Sequence, residues 1–287
     1  MNENEAVLLW VDEYTRMAEA YDARVVPRFR PFADRLVERA KLRPNATVLD
    51  VSTGTGLTAL LAAQATGGTG LVVAIDLADG ALAVAQTKAA RAGLRNLRFE
   101  MLDSRNIVYR GQTFDAVLSS FGLPALGHPQ ALSEIHRVLK DGATFHLVEW
   151  GPRDAPAGWD AFERVLAAHR TEAPSSTLAQ LRAAGDLVRG TGDFDAIRDP
   201  DVLAAKMRTA GFSAVAAEPF QATVDFATPD DLIAFRTAFG PTEREVAEME
   251  PSEREAFSAD LEHELTGYRQ DGAIRFRWTV AYYSATR

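Results

Sequence analysis

Apolar residues near the start of the chain recur every three or four positions, as they do on one face of an amphipathic helix. This spacing predicts two helices, over Ala6–Tyr21 and over Pro27–Ala40. The second helix carries Phe29 and Phe32 on its apolar face. We interpret residues 1–45 as a helical cap that precedes the main domain.

Short apolar runs then alternate with helical segments as far as residue 150. The predicted strands are Thr47–Val51, Leu71–Ile75, Leu97–Leu102, Phe114–Ser119 and Ala143–Val148. The predicted helices between them are Leu57–Ala65, Gly80–Ala92 and Pro129–Leu139. Such alternation indicates an α/β fold with a doubly wound, mostly parallel sheet. Residues 46–150 therefore form the predicted core.

The alternation becomes less regular after Trp150. We expect residues 151–200 to form a helical lid, and residues 201–287 to complete the core sheet around a helical insertion at about 228–272. The predicted helices here are Trp159–His169, one within Ala173–Arg189, Val202–Ala210, Thr228–Phe239 and the acidic Glu243–Tyr268. Two further strands, within Ala214–Phe226 and over Ala273–Ser284, bring the predicted sheet to seven strands.

The composition of the chain argues against several classes of function. The net charge of −9 disfavours nucleic acid as a partner, because an acidic surface repels phosphates. The chain has no cysteine, so disulfides and thiolate metal sites are excluded, and its five histidines lack metal-site spacing. The start is polar and acidic, unlike a signal peptide, and no apolar run approaches the about 20 residues of a membrane span. We expect a cytoplasmic protein without a metal.

A glycine-rich turn lies between the first predicted strand and the helix that follows it, in Asp50-Val51-Ser52-Thr53-Gly54-Thr55-Gly56. Glycine lets the backbone approach a ligand, and the helix N-terminus offers free N–H groups to an anion. Asp50 ends the strand beside this loop. Its carboxylate would repel a pyrophosphate but attract an ammonium or a sulfonium.

The next two predicted strands also end in acids, Asp76 and Asp103. The carboxyl ends of parallel strands form the ligand-binding edge of an open α/β sheet. There Asp76 can accept hydrogen bonds from ribose hydroxyls, and Asp103 can accept one from an adenine amino group.

A dinucleotide site is a rival interpretation. Gly54-Thr55-Gly56-Leu57-Thr58-Ala59 fits G-x-G-x-x-A, and Asp76 lies 20 residues after Gly56. Asp50 at the pyrophosphate position, the two preceding helices and the third acid argue against an NAD(P)-dependent oxidoreductase.

Several motifs together resemble the class I S-adenosylmethionine-dependent methyltransferases, and most closely the group that includes the ubiquinone/menaquinone C-methyltransferases and many small-molecule methyltransferases. The motifs are Asp50–Gly56, Asp76, Asp103-Ser104, Phe114–Ser120 and Arg137–Gly142. The similarity runs from about Tyr14 to Trp150 and resumes at Ala210-Gly211-Phe212.

The resemblance implies a Rossmann-like methyltransferase fold with S-adenosylmethionine as cofactor. The residues that it assigns to the cofactor are Asp50, Ser52, Thr53, Gly54, Thr55, Gly56, Asp76, Leu77, Asp103, Ser104, Ser119, Ser120 and Phe121. Loop 52–56 would hold the methionine part, Asp76 the ribose, and Asp103 with Ser104 the adenine. The family usually has glycine where this chain has Ser52.

The resemblance also implies that the first helices close over cofactor and substrate. We therefore expect Tyr14, Tyr21 and Arg28 near the substrate pocket, together with Trp150. A base is needed only if the acceptor must lose a proton, and the candidates are Glu149, His128, Tyr21 and Tyr14.

The predicted function is methyl transfer to oxygen, nitrogen or carbon of a small molecule. Ser119-Ser120-Phe121-Gly122 replaces the Asn/Asp-Pro-Pro-Tyr/Phe tetrapeptide, which argues against an amide or exocyclic amino nitrogen. A methyltransferase-like protein that binds the cofactor without transferring methyl groups stays an alternative. A homodimer is one candidate assembly, although the sequence does not give the oligomeric state.

Overall fold

A computed structural model describes residues 1–122, 128–152, 158–191 and 196–287. The strands are β1 (Thr47–Val51), β2 (Leu71–Asp76), β3 (Leu97–Met101), β4 (Phe114–Ser120), β5 (Leu139–Trp150), β6 (Ser213–Phe226), β7 (Arg269–Gln270) and β8 (Ala273–Thr286). The helices are α1 (Glu3–Arg24), α2 (Val26–Ala40), α3 (Leu57–Thr66), α4 (Asp79–Arg91), α5 (Pro129–Val138), α6 (Gly158–Ala168), α7 (Ser176–Thr191), α8 (Pro200–Thr209), α9 (Pro229–Arg236), α10 (Thr242–Ala247) and α11 (Pro251–Leu265).

The main sheet has the strand order β3-β2-β1-β4-β5-β8-β6, and the two-residue strand β7 pairs with β8 outside this path. Strands β1 to β5 are parallel to one another. Strand β8 runs antiparallel between β5 and β6. The predicted mostly parallel, seven-stranded α/β sheet is therefore confirmed. The chain order reverses between β1 and β4, and ligands of open α/β sheets bind at such a switch point.

Helices cover both faces of the sheet, so its central strands are buried on both sides. On one face, α2 and α3 pack over Val48, Val72 and Leu118. On the other, α5 and α8 pack over an apolar cluster that includes Leu49 and Val117. The alternation of neighbouring residues such as Val48 and Leu49 between the two faces follows from the two-residue period of a strand.

Helix α1 is preceded by Asn2, whose side chain accepts a hydrogen bond from the Glu5 N–H at 2.9 Å, while the Glu5 carboxylate accepts one from the Asn2 N–H at 2.8 Å. This capping box fixes the first turn of α1. Helix α1 then packs against α4 and α7, and α2 packs against β4 and β5. Helix α1 thus packs on other helices, whereas α2 packs directly on the sheet.

The acidic segment Glu243–Tyr268, which was predicted to be helical, is helical over most of its length but is divided. Helix α10 ends at Ala247, α11 begins at Pro251, and a single 3₁₀ turn covers Thr266–Tyr268. The division falls before Pro251 because proline lacks the N–H that a helix interior needs but suits a first helical position. Among the described residues, no helix has the length and apolarity to cross a bilayer.

Candidate active site

A cavity of about 500 Å³ lies at the carboxyl edge of the sheet, between the ends of the first strands and α1. Its volume is in the range of cofactor and substrate sites. The predicted residues that line it are Ser52, Thr53, Gly54, Thr55, Asp76, Leu77, Asp103, Ser104, Ser120, Phe121, Tyr14, Tyr21 and His128. Most of the residues proposed from the sequence therefore surround a single space.

The glycine loop turns sharply between β1 and α3. Ser52, Gly54 and Gly56 have φ angles of +57°, +54° and +82°, in the left-handed region that favours glycine. A Cβ on Gly56 would lie 2.7 Å from the Cβ of Ala85 in α4, so this position has no room for a side chain. A Cβ on Gly54 would meet nothing within 4 Å, and the loop therefore leaves open space beside the cavity.

Asp50 lies beneath this loop and is only 1% exposed. Its Oδ2 accepts a hydrogen bond from the Thr53 hydroxyl at 2.6 Å, and its carboxylate also accepts one from the Ala59 N–H. Burial raises the pKa of Asp50 to about 7, and the nearby Asp76 carboxylate adds to the rise. Asp50 thus supports the loop from below and does not line the cavity.

Asp76 ties the end of β2 to the glycine loop. Its Oδ2 accepts a hydrogen bond from the Gly54 N–H at 2.8 Å, and its Oδ1 accepts one from the Ala78 N–H at 2.9 Å. Burial raises the pKa of Asp76 above its ordinary value, although these backbone hydrogen bonds oppose the rise. A carboxylate has about four acceptor positions, so the fixed group can still accept bonds from a ligand.

Asp103 is held by Arg105, a residue that the sequence did not single out. The guanidinium donates to both carboxylate oxygens, with Nη2 to Oδ2 at 2.7 Å and Nε to Oδ1 at 3.1 Å. Burial alone would raise the pKa of Asp103, but the hydrogen bonds from Arg105 lower it below the ordinary value. Arg105 also donates to the Asn4 side chain of α1 at 3.2 Å, and so joins this end of the cavity to the cap.

Helix α1 forms one wall of the cavity through a stripe with helical spacing. The stripe contains Val7, Trp10, Val11, Tyr14, Ala18 and Tyr21. Tyr14 lines the cavity and is 36% exposed. Burial in the protein and the Asp76 carboxylate raise the pKa of Tyr14 to about 12, and burial also raises the pKa of Tyr21. Both phenols are therefore protonated near neutral pH.

The end of α1 is fastened to the glycine loop. Asp22 accepts a hydrogen bond from the Thr55 hydroxyl at 2.7 Å and forms an ion pair with Lys88 of α4. Lys88 also donates to the Thr55 carbonyl at 3.0 Å. These contacts join the end of α1 and helix α4 to the glycine loop at Thr55.

Aromatic rings form the wall next to β4. Phe121 follows β4 with a φ of +54°, and its N–H donates to the Val148 carbonyl at 2.9 Å. Its ring lies 4.7 Å from that of Phe29 and 4.9 Å from that of Trp150, between ring centroids. Phe29 lines the cavity, whereas Trp150 packs behind the two phenylalanines and does not reach it.

His128 lines the cavity at the start of α5, where its Nδ1 accepts a hydrogen bond from the Gln130 N–H at 3.2 Å. A neutral imidazole that accepts through Nδ1 carries its proton on Nε2, so this ring is arranged as a donor. His128 also lies near the Asp103 carboxylate.

Several residues proposed from the sequence lie outside the cavity lining. They are Asp50, Gly56, Ser119, Arg28, Trp150 and Glu149. Ser119 donates to the Val51 carbonyl at 3.0 Å, and Arg28 pairs with Asp231 at 2.6 Å. Each of these two side chains thus has a structural partner away from the proposed pocket.

Glu149 was the first candidate for a base, and its placement differs from that expectation. Its side chain is completely buried and acts electrostatically on Tyr283 of β8. Side chains alternate along a strand, so Glu149 points to the sheet face opposite to that of Val148 and Trp150.

Sequence reasoning missed Trp10, Phe29 and Lys206 as lining residues, in addition to Arg105. The spacing of Trp10 from Tyr14 and Tyr21 along α1 was a usable signal. Lys206 lies on α8, and nothing in its local sequence indicates that this helix reaches the cavity.

Fold and site together define an enzyme of Rossmann-like architecture that binds a nucleoside cofactor at the carboxyl edge of its sheet. Residues 48–142 match the family model described as a methyltransferase domain. The chain is 29% identical to nocamycin O-methyltransferase of Saccharothrix syringae over 277 residues, which covers 94% of this chain and 95% of that protein. The chain is therefore an S-adenosylmethionine-dependent methyltransferase, and it is similar to enzymes of the class I group that act on small molecules.

Two further similarities agree with this assignment. The ubiquinone/menaquinone biosynthesis C-methyltransferase UbiE of Brucella abortus (strain S19) is 31% identical over 164 residues, covering 54% of this chain and 61% of that protein. A solved S-adenosylmethionine-dependent methyltransferase from Aquifex aeolicus shares the fold, with a TM-score of 0.53, 15% identity and coverage of 94% of this chain and 98% of that one. The comparisons do not favour an oxidoreductase or a protein that does not transfer methyl groups.

Proposed function

We propose that this enzyme methylates an oxygen atom of a small, largely apolar acceptor. The observation that carries the proposal is the extent of the two sequence similarities. The match to the O-methyltransferase covers 94% of the chain, whereas the match to the C-methyltransferase covers 54%. The alignment with the O-methyltransferase is long enough to include most of the segments outside the core, whereas the shorter alignment is not. We expect those segments to select the acceptor.

The cavity walls support an apolar acceptor. Trp10, Tyr14, Tyr21, Phe29 and Phe121 surround the space on the side of α1, α2 and β4. Aromatic walls bind apolar groups and exclude water, while a few polar groups fix the orientation.

The described residues also fit the cofactor. We propose that Asp76 accepts hydrogen bonds from the ribose hydroxyls, since both its oxygens are already oriented by Gly54 and Ala78. Asp103, fixed by Arg105, would accept from the adenine amino group with Ser104 beside it. Ser52 to Thr55 would then hold the amino-acid end, where Gly54 leaves open space.

When bound, S-adenosylmethionine supplies a methyl group on a positively charged sulfur. The protein's part is to hold an acceptor oxygen in line with that group and to exclude water. We propose that Tyr14 and Tyr21 orient the acceptor as protonated hydrogen-bond donors, because their raised pKa values disfavour a role as bases. His128, as an Nε2 donor near Asp103, would serve the nucleoside end.

The remaining expectations stay predictions. These are a cytoplasmic location, a homodimer, no nucleic-acid partner, and the division into a cap, a core and a lid.

The test is an assay with S-adenosylmethionine that carries a ¹³C-labelled methyl group. The acceptors are matched apolar small molecules that bear a phenol, an enol, a carboxyl group or an activated carbon. We expect S-adenosylhomocysteine to form with an oxygen acceptor, and the product to show the ¹³C shift of an O-methyl group. Label found only on carbon or nitrogen would contradict oxygen methylation.

A further inference from the structure

Helix α1 covers the cavity along much of its length. The stripe of α1 that lines the cavity spans about 21 Å, at a rise of about 1.5 Å per residue. At the start of α1, Asn4 accepts a hydrogen bond at 3.2 Å from Arg105, which holds Asp103. At its end, Asp22 accepts one at 2.7 Å from Thr55 of the glycine loop. A cofactor in the proposed orientation would therefore lie beneath α1 from its adenine to its amino-acid end.

A buried carboxylate on the same helix is bound by two arginines. Glu13 is only 6% exposed and comes directly before Tyr14, a residue of the lining stripe. Its Oε1 accepts hydrogen bonds from the Nε and Nη2 atoms of Arg244 in α10, at 2.9 and 2.7 Å. Its Oε2 accepts one from the Nη2 atom of Arg16 in α1, at 2.7 Å. Both carboxylate oxygens are therefore occupied, and Oε1 is bound by a helix from a distant part of the chain.

Helix α10 makes a second buried contact of the same kind, directed to α7. Glu245, which follows Arg244, is 1% exposed. Its two oxygens accept hydrogen bonds from the Nε and Nη2 atoms of Arg182 at 2.9 and 2.6 Å, in the bidentate geometry of strong ion pairs. Adjacent residues of α10 thus bind α1 and α7, so this short helix joins the wall of the cavity to α7.

The Glu13–Arg244 contact differs in its burial from another contact that α1 makes with the core. The hydrogen bond between Thr15 and Asp79, at 3.1 Å, joins exposed side chains, whose groups water can satisfy when they separate. Removal of one partner of a buried ion pair instead leaves an uncompensated charge, which is strongly destabilising. We therefore expect the Glu13–Arg244 pair to oppose displacement of α1 more strongly than such an exposed contact does.

We propose that the Glu13–Arg244 ion pair is a clasp that keeps α1 over the cavity and sets the rate at which the cofactor product leaves. The inference rests on the proposed function and its cofactor orientation. Neither residue lines the cavity, so the pair acts on the ligand only through the position of α1. In the open state water hydrates both charged groups, so the clasp can break and form again as α1 moves away from the sheet edge and returns.

The experiment measures the release of S-adenosylhomocysteine by stopped-flow tryptophan fluorescence, to which Trp10 on the cavity wall contributes. For Arg244→Gln we expect the dissociation rate constant to rise about tenfold, as for removal of one partner of a buried charge pair. The rise should not add to that of Glu13→Gln in the double variant, because either change alone opens the clasp. Amide hydrogen exchange should become faster in α1, while exchange in β1 stays at the wild-type rate.

Two further variants separate the clasp from general effects on folding. Arg30→Gln breaks the exposed ion pair with Asp34 on α2, at 2.8 Å, and should leave the release rate within about twofold of the wild-type value. Arg244→Lys keeps the charge but loses the planar fork of the guanidinium, so it should fold and should release the ligand at an intermediate rate.

The outcomes distinguish the clasp from the proposed function. A wild-type release rate in both Arg244 variants, or an equal rise in Arg30→Gln, would overturn the clasp and leave the cofactor site in place. Faster exchange in β1 as well as in α1 would indicate a general loss of stability, and would also overturn the clasp. A wild-type protein that does not bind S-adenosylhomocysteine would overturn both the clasp and the proposed function.

Discussion

The backbone N–H of Gly54 donates a hydrogen bond to the Asp76 carboxylate at 2.8 Å. This contact joins the glycine loop after β1 to the acid at the end of β2. Asp50 supports the same loop from beneath through Thr53, and Asp22 of α1 holds it through Thr55. The loop is therefore fixed from three directions, by the core, by the neighbouring strand and by the cap.

Gly56 should be the least replaceable glycine of the loop. We expect Gly56→Ala to lower the free energy of unfolding by about 2–5 kcal/mol, because it combines a left-handed backbone with overpacking against Ala85. Gly93→Ala is the matched control, since Gly93 has a φ of +66° but open space around a Cβ, and it should cost about 1 kcal/mol. Urea unfolding of both variants measures the difference. Equal losses would show that the approach of Ala85 is unimportant.

Asp50 should make stability depend on pH. Its pKa is raised from 3.8 to about 7 in the folded protein, so the folded state holds this proton more tightly than the unfolded state does. The contribution of Asp50 to the free energy of unfolding is therefore fully present at low pH, and it is lost as the pH rises from about 4 to about 7. The magnitude is on the order of a few kcal/mol.

The measurement is urea unfolding of the wild type and of Asp50→Asn at several pH values. The stability of the wild type relative to the variant should fall as the pH rises through this range. A difference that stays constant with pH would mean that Asp50 titrates normally.

Glu149 and Tyr21 should differ in their effects on turnover. Glu149→Gln should change kcat by less than about twofold, because the side chain lies outside the cavity. Tyr21→Phe should lower kcat/KM by about two- to tenfold, since it removes one hydroxyl from the cavity wall. Steady-state rates with an acceptor identified by the labelled-methyl assay provide the test. A loss of about 10² or more in Glu149→Gln would restore Glu149 as a base.

The core was predictable because its signals are local. The two-residue and 3.6-residue periods of the apolar positions locate the strands and helices, and glycines mark the turns between them. Strands β1 to β4 lie within one residue of their predicted bounds, whereas β5 begins at Leu139, before the predicted start at Ala143. The acidic segment was also predictable as helical, although its division before Pro251 was not predicted.

Other parts of the site depend on tertiary structure. Sequence spacing alone does not show that Arg105 folds back onto Asp103, or that α8 brings Lys206 to the cavity. Glu149 shows why the direction of a side chain at a strand end is hard to predict from sequence. A shift of one residue moves such a side chain to the other face of the sheet.

The most direct test is a calorimetric titration of the wild type and Asp76→Ala with S-adenosylhomocysteine, with Asp34→Ala on the exposed side of α2 as the control. We predict saturable binding by the wild type and the control, and a loss of about 1.5–3 kcal/mol in Asp76→Ala, as for a charged hydrogen bond. Absence of binding by the wild type, or equal affinity in Asp76→Ala, would contradict the account.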